Sequence, residues 1–204
     1  MANFSIPIQP VSTISGNDFR ENRIIEEASQ TFFQGVPVQV NATDGGLQVW
    51  DGTTIAAGLA GISYEAASNL GTTGAGAPQV FTPVLGAGAV AGTFGTVPNQ
   101  PNAKNIAHGA PLNDGRCGLY EAANGDTVFC AAIGNAGSAV TPTAQEVGVA
   151  YGLTADSNGY WYVDISKTGG SAVLRITQLD PRVTPAPGSP VFFVILPASS
   201  QVLG

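Results

Sequence analysis

The chain has few of the groups from which active sites are built. Its 204 residues include one His, two Cys, one Met, seven Lys plus Arg and fourteen Asp plus Glu. Enzymes assemble acids, bases, nucleophiles or metal ligands in one pocket. A zinc centre needs three or four Cys, His or carboxylate ligands at set spacings; with no C-x-x-C and no second histidine, His108 reads as a solvated loop residue. No G-x-S-x-G elbow supports a nucleophilic serine. Gly86-Ala-Gly88 lacks the third glycine and the strand–helix context of a dinucleotide fingerprint. The sequence is therefore expected to have no catalytic residues, metal or cofactor, and not to be an enzyme.

Basic charge is equally scarce. The formal charge is −7, and no cluster of Lys and Arg exists to neutralise phosphates, so neither nucleic acid nor an anionic membrane is an expected partner. No apolar run reaches the roughly 18 residues of a membrane span. Met1–Pro10 has neither the basic nor the apolar region of a signal peptide.

What is present is glycine (27) and proline (14) among Ala, Val and other apolar residues that make up 44% of the chain. Small and β-branched residues suit pleated surfaces, and a chain this long buries about 70% of its unfolded surface. From Thr31 onward, short β-runs are split by turn dipeptides: Val36–Val40, Asp44-Gly45, Leu47–Trp50, Asp51-Gly52, then Gly61–Tyr64. The same style returns in Val147–Tyr151, Tyr160–Ile165, Ala172–Leu179 and Val191–Leu196. Such punctuation predicts hairpins and a mainly β body, a small β-barrel or β-sandwich. Asp156-Ser-Asn-Gly159 reads as an Asx-type hairpin turn rather than a calcium loop.

Residues 1–30 read as an N-terminal arm with a short helix, and 31–204 as the body. In the arm, Phe4, Ile6 and Ile8 alternate with polar residues or Pro7, and Pro7 and Pro10 exclude a central strand. An extended arm follows, whose apolar residues need a partner outside their own segment. Asp18–Ser29 lacks Gly and Pro, follows N-cap chemistry and places Ile24, Ile25 and Ala28 on one helical face. Residues 71–95 are rich in Gly, Ala and Thr and 97–111 read as a long loop, so 71–140 read as an insertion or subdomain. Cys117 and Cys130 flank a predicted hairpin at Asn124-Gly125 and read as two buried free thiols, whereas a register shifted by two residues would set them opposite for a disulfide. A weak internal echo links Gly61–Asn69, Gly118–Asn124 and Gly148–Tyr151.

Seven phrases carry a family likeness. Phe94–Gln100, Gly109–Gly115, Ala123–Phe129, Glu146–Thr154, Asn158–Asp164, Leu179–Pro181 and Gly188–Phe193 together resemble structural proteins of tailed bacteriophages, among them capsid decoration, or cement, proteins. The resemblance covers roughly residues 31–200 and brings no active-site motif. It implies a virion protein on the capsid exterior, assembled in the host cytoplasm, commonly a homotrimer, whose partner is the major capsid protein. The arm residues Phe4, Ile6, Pro7 and Ile8 fit the role of a capsid contact.

Two other readings stand beside it. A carbohydrate- or host-surface-binding module of a tail or fibre would stack a host glycan on Tyr160, Trp161 and Tyr162, with Trp161 or Trp50 exposed. A self-assembling coat or tail-tube subunit would polymerise alone. In the strand Tyr160–Ile165, alternation places Trp161, Val163 and Ile165 on one face and Tyr160, Tyr162 and Asp164 on the other.

Overall fold

A computed structural model describes residues 4, 6–27, 30, 32–43, 45–53, 58–67, 116–122 and 125–201. Among these the chain is mainly β, as its composition and punctuation predict. Its strands are β1 (Gln9–Thr13), β2 (Glu21–Ile25), β3 (Pro37–Val40), β4 (Leu47–Val49), β5 (Gly61–Ser63), β6 (Arg116–Glu121), β7 (Thr127–Asn135), β8 (Ser138–Ala139), β9 (Ala150–Ala155), β10 (Trp161–Asp164), β11 (Leu174–Leu179) and β12 (Pro190–Ile195).

Five C-terminal strands close on themselves in the order β7–β12–β11–β9–β10 and back to β7. Every contact is antiparallel except β10 against β7. Closure covers most of the sheet edges and leaves residues 127–130 of β7 to be paired by β1. The N-terminal strands follow the path β2–β6–β5–β3–β4. A parallel bridge between Glu26 and Leu47 then brings β4 back to the end of β2, supported by Glu27 N–H donating to the Leu47 carbonyl at 2.9 Å.

The two units share one topology. Numbered within each unit, the strands run first–fifth–fourth–second–third, and the third meets the first in parallel. Local detail repeats too. The turn between second and third strands is an Asx turn in both, Thr43 N–H to Asn41 Oδ1 at 2.9 Å and Asn158 N–H to Asp156 Oδ1 at 2.8 Å. Each then needs a glycine at positive φ, Gly45 (74°) and Gly159 (85°). After the third strand another Asx turn follows, Thr53 N–H to Asp51 and Ser166 N–H to Asp164. The sequence echo does not mark this repetition: Gly61 and Gly118 lie on β5 and β6, neighbours within one unit. There Gly118 makes room for Tyr64, whose ring would lie 2.1 Å from an added Cβ.

Four expectations are corrected. The helix over 18–29 is not formed; residues 21–25 are β2, because β-branched Ile24 and Ile25 find backbone partners along β6. The helical elements among the described residues are short 3₁₀ turns, including those at Ala144–Glu146, Gly169–Ser171 and Pro197–Ser199. Cys117 and Cys130 do not flank a hairpin: β6 pairs with β2 and β5, while β7 pairs within the other unit. Both thiols are nevertheless free and buried, as expected. The expected insertion over 71–140 does not take in 116–140, since β6 and β7 supply buried strands to the two units; residues 68–115, including His108, lie outside the described residues. Finally, the expected extended arm is not separate from the body, because residues 9–13 form β1 against β7.

One core runs through both units. Trp50 and Trp161 meet at 5.6 Å between centroids, and Phe129 and Phe193 at 5.9 Å. After β12 the chain returns to the first unit, where Leu59 N–H donates to Ser199 and Gln201 N–H donates to Leu59.

Candidate functional site

The aromatic cluster does not form a sugar platform. Trp161 and Tyr162 are buried, as is Trp50, and only Tyr160 stands at the surface. Strand alternation explains this, and follows the expected faces. Trp161 and Val163 enter the main core, while Tyr162 turns to the opposite face and packs with Phe4 and Ala132.

That opposite face holds the arm. The Phe4 ring stacks on Tyr162 at 4.1 Å and 17°, and Phe4 N–H donates to Asp156 Oδ2 at 3.1 Å. Ile8 is buried in the main core, whereas Ile6 and Pro7 are half-buried. β1 then runs antiparallel to β7, with Gln9 opposite Cys130 and Thr13 opposite Thr127. The pairing slips between Pro10 and Ser12, and Pro10 is tolerated because β1 is an edge strand. Thus the four residues expected to touch a capsid lie together, but two of them are occupied by the chain's own body.

Two glycines make the seat. A Cβ on Gly134 would lie 2.6 Å from Phe4 Cζ and 2.9 Å from the Tyr162 ring. One on Gly35, at φ +81°, would lie 2.6 Å from Pro7 Cβ. A glycine inside an apolar strand run signals close approach of another segment, so Gly134 within Thr127–Asn135 is the sequence signal that could have located the seat. Beside the arm are two shallow cavities of about 340 and 350 Å³. Gln9 and Pro10 line both; Cys130 and Arg182 line the first, and Tyr64 and Tyr120 the second.

The well-buried acids with defined contacts serve as fasteners. Asp164 accepts from Ala136 N–H, Ser166 N–H, Ser166 Oγ and Thr154 Oγ1 at 2.7–3.0 Å. Burial pushes its pKa up, but these donors outweigh burial and hold it below the usual carboxylate range. Asp180 is held low chiefly by hydrogen bonds from the Arg182 guanidinium, 2.7 Å away, and Arg182 lies over the Phe192 ring. Glu65 pairs with Arg23 and accepts from Gly118 N–H. On the surface, Asp126 accepts from Ser15 N–H and Oγ, both at 2.8 Å, and these bonds hold its pKa low. Among the described residues no group of three or more His, Cys, Asp or Glu is placed to hold a metal, and no helix is long and apolar enough to cross a membrane.

The exposed apolar residues form a pattern of their own. Ile14, Phe33, Val147, Val149, Tyr160 and Val183 are the large apolar side chains exposed among the described residues, and each lies in a connection between strands rather than within one.

No family model, curated protein or solved structure matches this chain.

Proposed function

We propose that this chain is a structural protein that binds the outer surface of an assembled phage capsid and stabilises the lattice by non-covalent bridging of coat subunits. The observation that carries the reading is the placement of exposed apolar groups. Closed β-units turn their strands inward and present Ile14, Phe33, Val147, Val149, Tyr160 and Val183 on the connections, where binding residues held by a rigid scaffold usually sit. Acids with defined contacts are engaged in holding turns and strands, which suits a protein that works by contact rather than chemistry.

The major capsid protein is the partner in this reading, and a homotrimer the acting unit. A ligand that binds only the assembled lattice stabilises it by RT ln(1 + [L]/Kd) at each site, and many modest contacts accumulate. Quantitative mass spectrometry of purified particles from the source, against the major coat protein, tests the reading. Copies approaching one per coat subunit are expected. A handful per particle, or none, would overturn it.

A further inference from the structure

We propose that the seat on β7 accepts residues 4–13 of a second copy of this chain, so that neighbouring copies exchange N-terminal strands. The proposal rests on the protein alone and stands or falls independently of the capsid reading.

The seat is built for a strand that the closed unit does not itself supply. On one edge of β7, β10 covers only Ile133 and Gly134, so residues 127–130 depend on β1 for their partners. Buried backbone donors and acceptors left unpaired are costly. Tyr162 and the gap above Gly134 likewise depend on Phe4. An arm from any copy satisfies them identically. The bound contacts therefore do not distinguish the chain's own arm from a neighbour's; only the connection and the local concentration do.

The connection permits either. Residues 14–20 join β1 to β2, are exposed except for a half-buried Phe19, and contain Gly16 at φ +75°. Seven residues span at most about 25 Å when extended, which sets how near the adjoining copy must lie. Ile14, two-thirds exposed, marks this hinge, and the Ser15–Asp126 bonds fasten it at the surface. The free edge of β1 is a poor docking point by comparison, since Pro10 and the register slip blunt it. A flexible connection of this length corresponds to an effective concentration in the mM range. Dilute protein thus keeps its own arm, and crowded copies exchange.

The register supplies the test. Gln9 and Cys130 are directly opposed, and opposed antiparallel residues have Cα separations of about 4.5–5.5 Å, within disulfide reach. The Gln9→Cys variant is made in unlabelled and 15N-labelled form, mixed in equal amounts, unfolded, refolded together across a range from ~1 μM to ~1 mM, and oxidised. Peptide mapping then reads whether the thiol introduced at position 9 is bonded to Cys130 of its own chain or of another. Links between light and heavy chains should be rare at the dilute end and rise toward about a quarter of all 9–130 links at the concentrated end, where own and neighbouring arms compete about equally and half of the exchanged pairs are mixed. Same-chain links alone at every concentration would overturn the proposal. So would a protein with native near-UV circular dichroism that forms no 9–130 link after prolonged oxidation in which native Cys130 is shown to react, because the arm would then not lie on β7. A variant carrying Cys130→Ser as well fixes the background.

Discussion

The Phe4 ring lies 4.1 Å above the Tyr162 ring at 17°, the two stacked across the outer face of the C-terminal unit. Phe4 is 3% exposed although it stands near the chain's start. Removing a buried Phe ring usually costs about 3–5 kcal/mol, but here the arm detaches rather than leaving a cavity, so Phe4→Ala should cost about 2 kcal/mol. In a chain of this size that lowers Tm by about 4–8 °C. Hydrogen exchange should localise the effect, with the amides of β1 losing protection while those of β9 and β10 keep it. Uniform loss across the barrel would contradict a separable arm.

Gly134 lies beneath that stack, and its missing Cβ is a requirement for it. Gly134→Ala should destabilise by about 1–3 kcal/mol, the usual cost of overpacking. In the Phe4→Ala background the ring that it strikes hardest is gone, so the second substitution should cost clearly less than in the parent. A double-mutant cycle by urea unfolding reads the coupling. Additive costs would mean that the strain lies against Tyr162 alone.

Asp164 ties β10 to the β7–β8 turn and to Thr154 on β9. Its folded pKa is depressed, so its contribution is complete above the unfolded value near 3.9 and is lost as pH falls through the lower folded value. Stability of the parent should therefore fall steeply between about pH 4 and 2. Asp164→Asn should lower stability at pH 7 by about 2 kcal/mol, because its donors lose a charged acceptor, and should flatten that acid slope. Urea midpoints at pH 7, 4 and 2.5 check both; an unchanged slope would place acid sensitivity at Asp180 or Asp126.

Much of this fold is legible from turn chemistry. Asp156–Gly159 reads as an Asx turn and forms one, and the alternation from Trp161 to Asp164 places each side chain on its observed face. Residues 18–29 mislead because Ile24, Ile25 and Ala28 satisfy a helical period, while strand pairing with β6 is a long-range event that no local pattern reports. The 117–130 hairpin fails for the same reason: Gly125 does adopt positive φ, yet each unit closes on itself and separates the two cysteines. The arm is half legible. Its alternation and prolines predict an extended edge segment with apolar residues in need of cover, but the cover is β7 and Tyr162 of the same chain.

Both thiols should be slow. Burial pushes Cys117 up, with Glu26 and Glu65 adding to the effect. Burial and Asp180 push Cys130 up to about 11 despite the Arg182 guanidinium nearby. At pH 8 a pKa of about 11 leaves about one Cys130 in a thousand as the reactive thiolate. Ellman's reagent should therefore label neither thiol quickly in the native protein and both at once in guanidinium. Phe4→Ala should accelerate Cys130 selectively, because Cys130 lies under β1 opposite Gln9, while Cys117 lies in the other unit.

The C-terminal segment is held by a side chain that stands in for a strand. Gln201 donates through Nε2 to the Val40 carbonyl at 3.0 Å and accepts at Oε1 from Val40 N–H at 2.7 Å. One side-chain amide thus closes both backbone groups of the last residue of β3 while its own N–H donates to Leu59. Gln201→Ala removes both bonds, at about 1 kcal/mol each if water does not replace them. Gln201→Glu keeps the oxygen that accepts from Val40 N–H but sets a carboxylate against the Val40 carbonyl, so it should fare no better than alanine at pH 7. At pH 4 the acid is partly protonated and can donate again, and the glutamate variant should then regain stability relative to alanine. Thermal unfolding of the two variants at both pH values decides this; parallel shifts would mean that the amide's contacts contribute nothing.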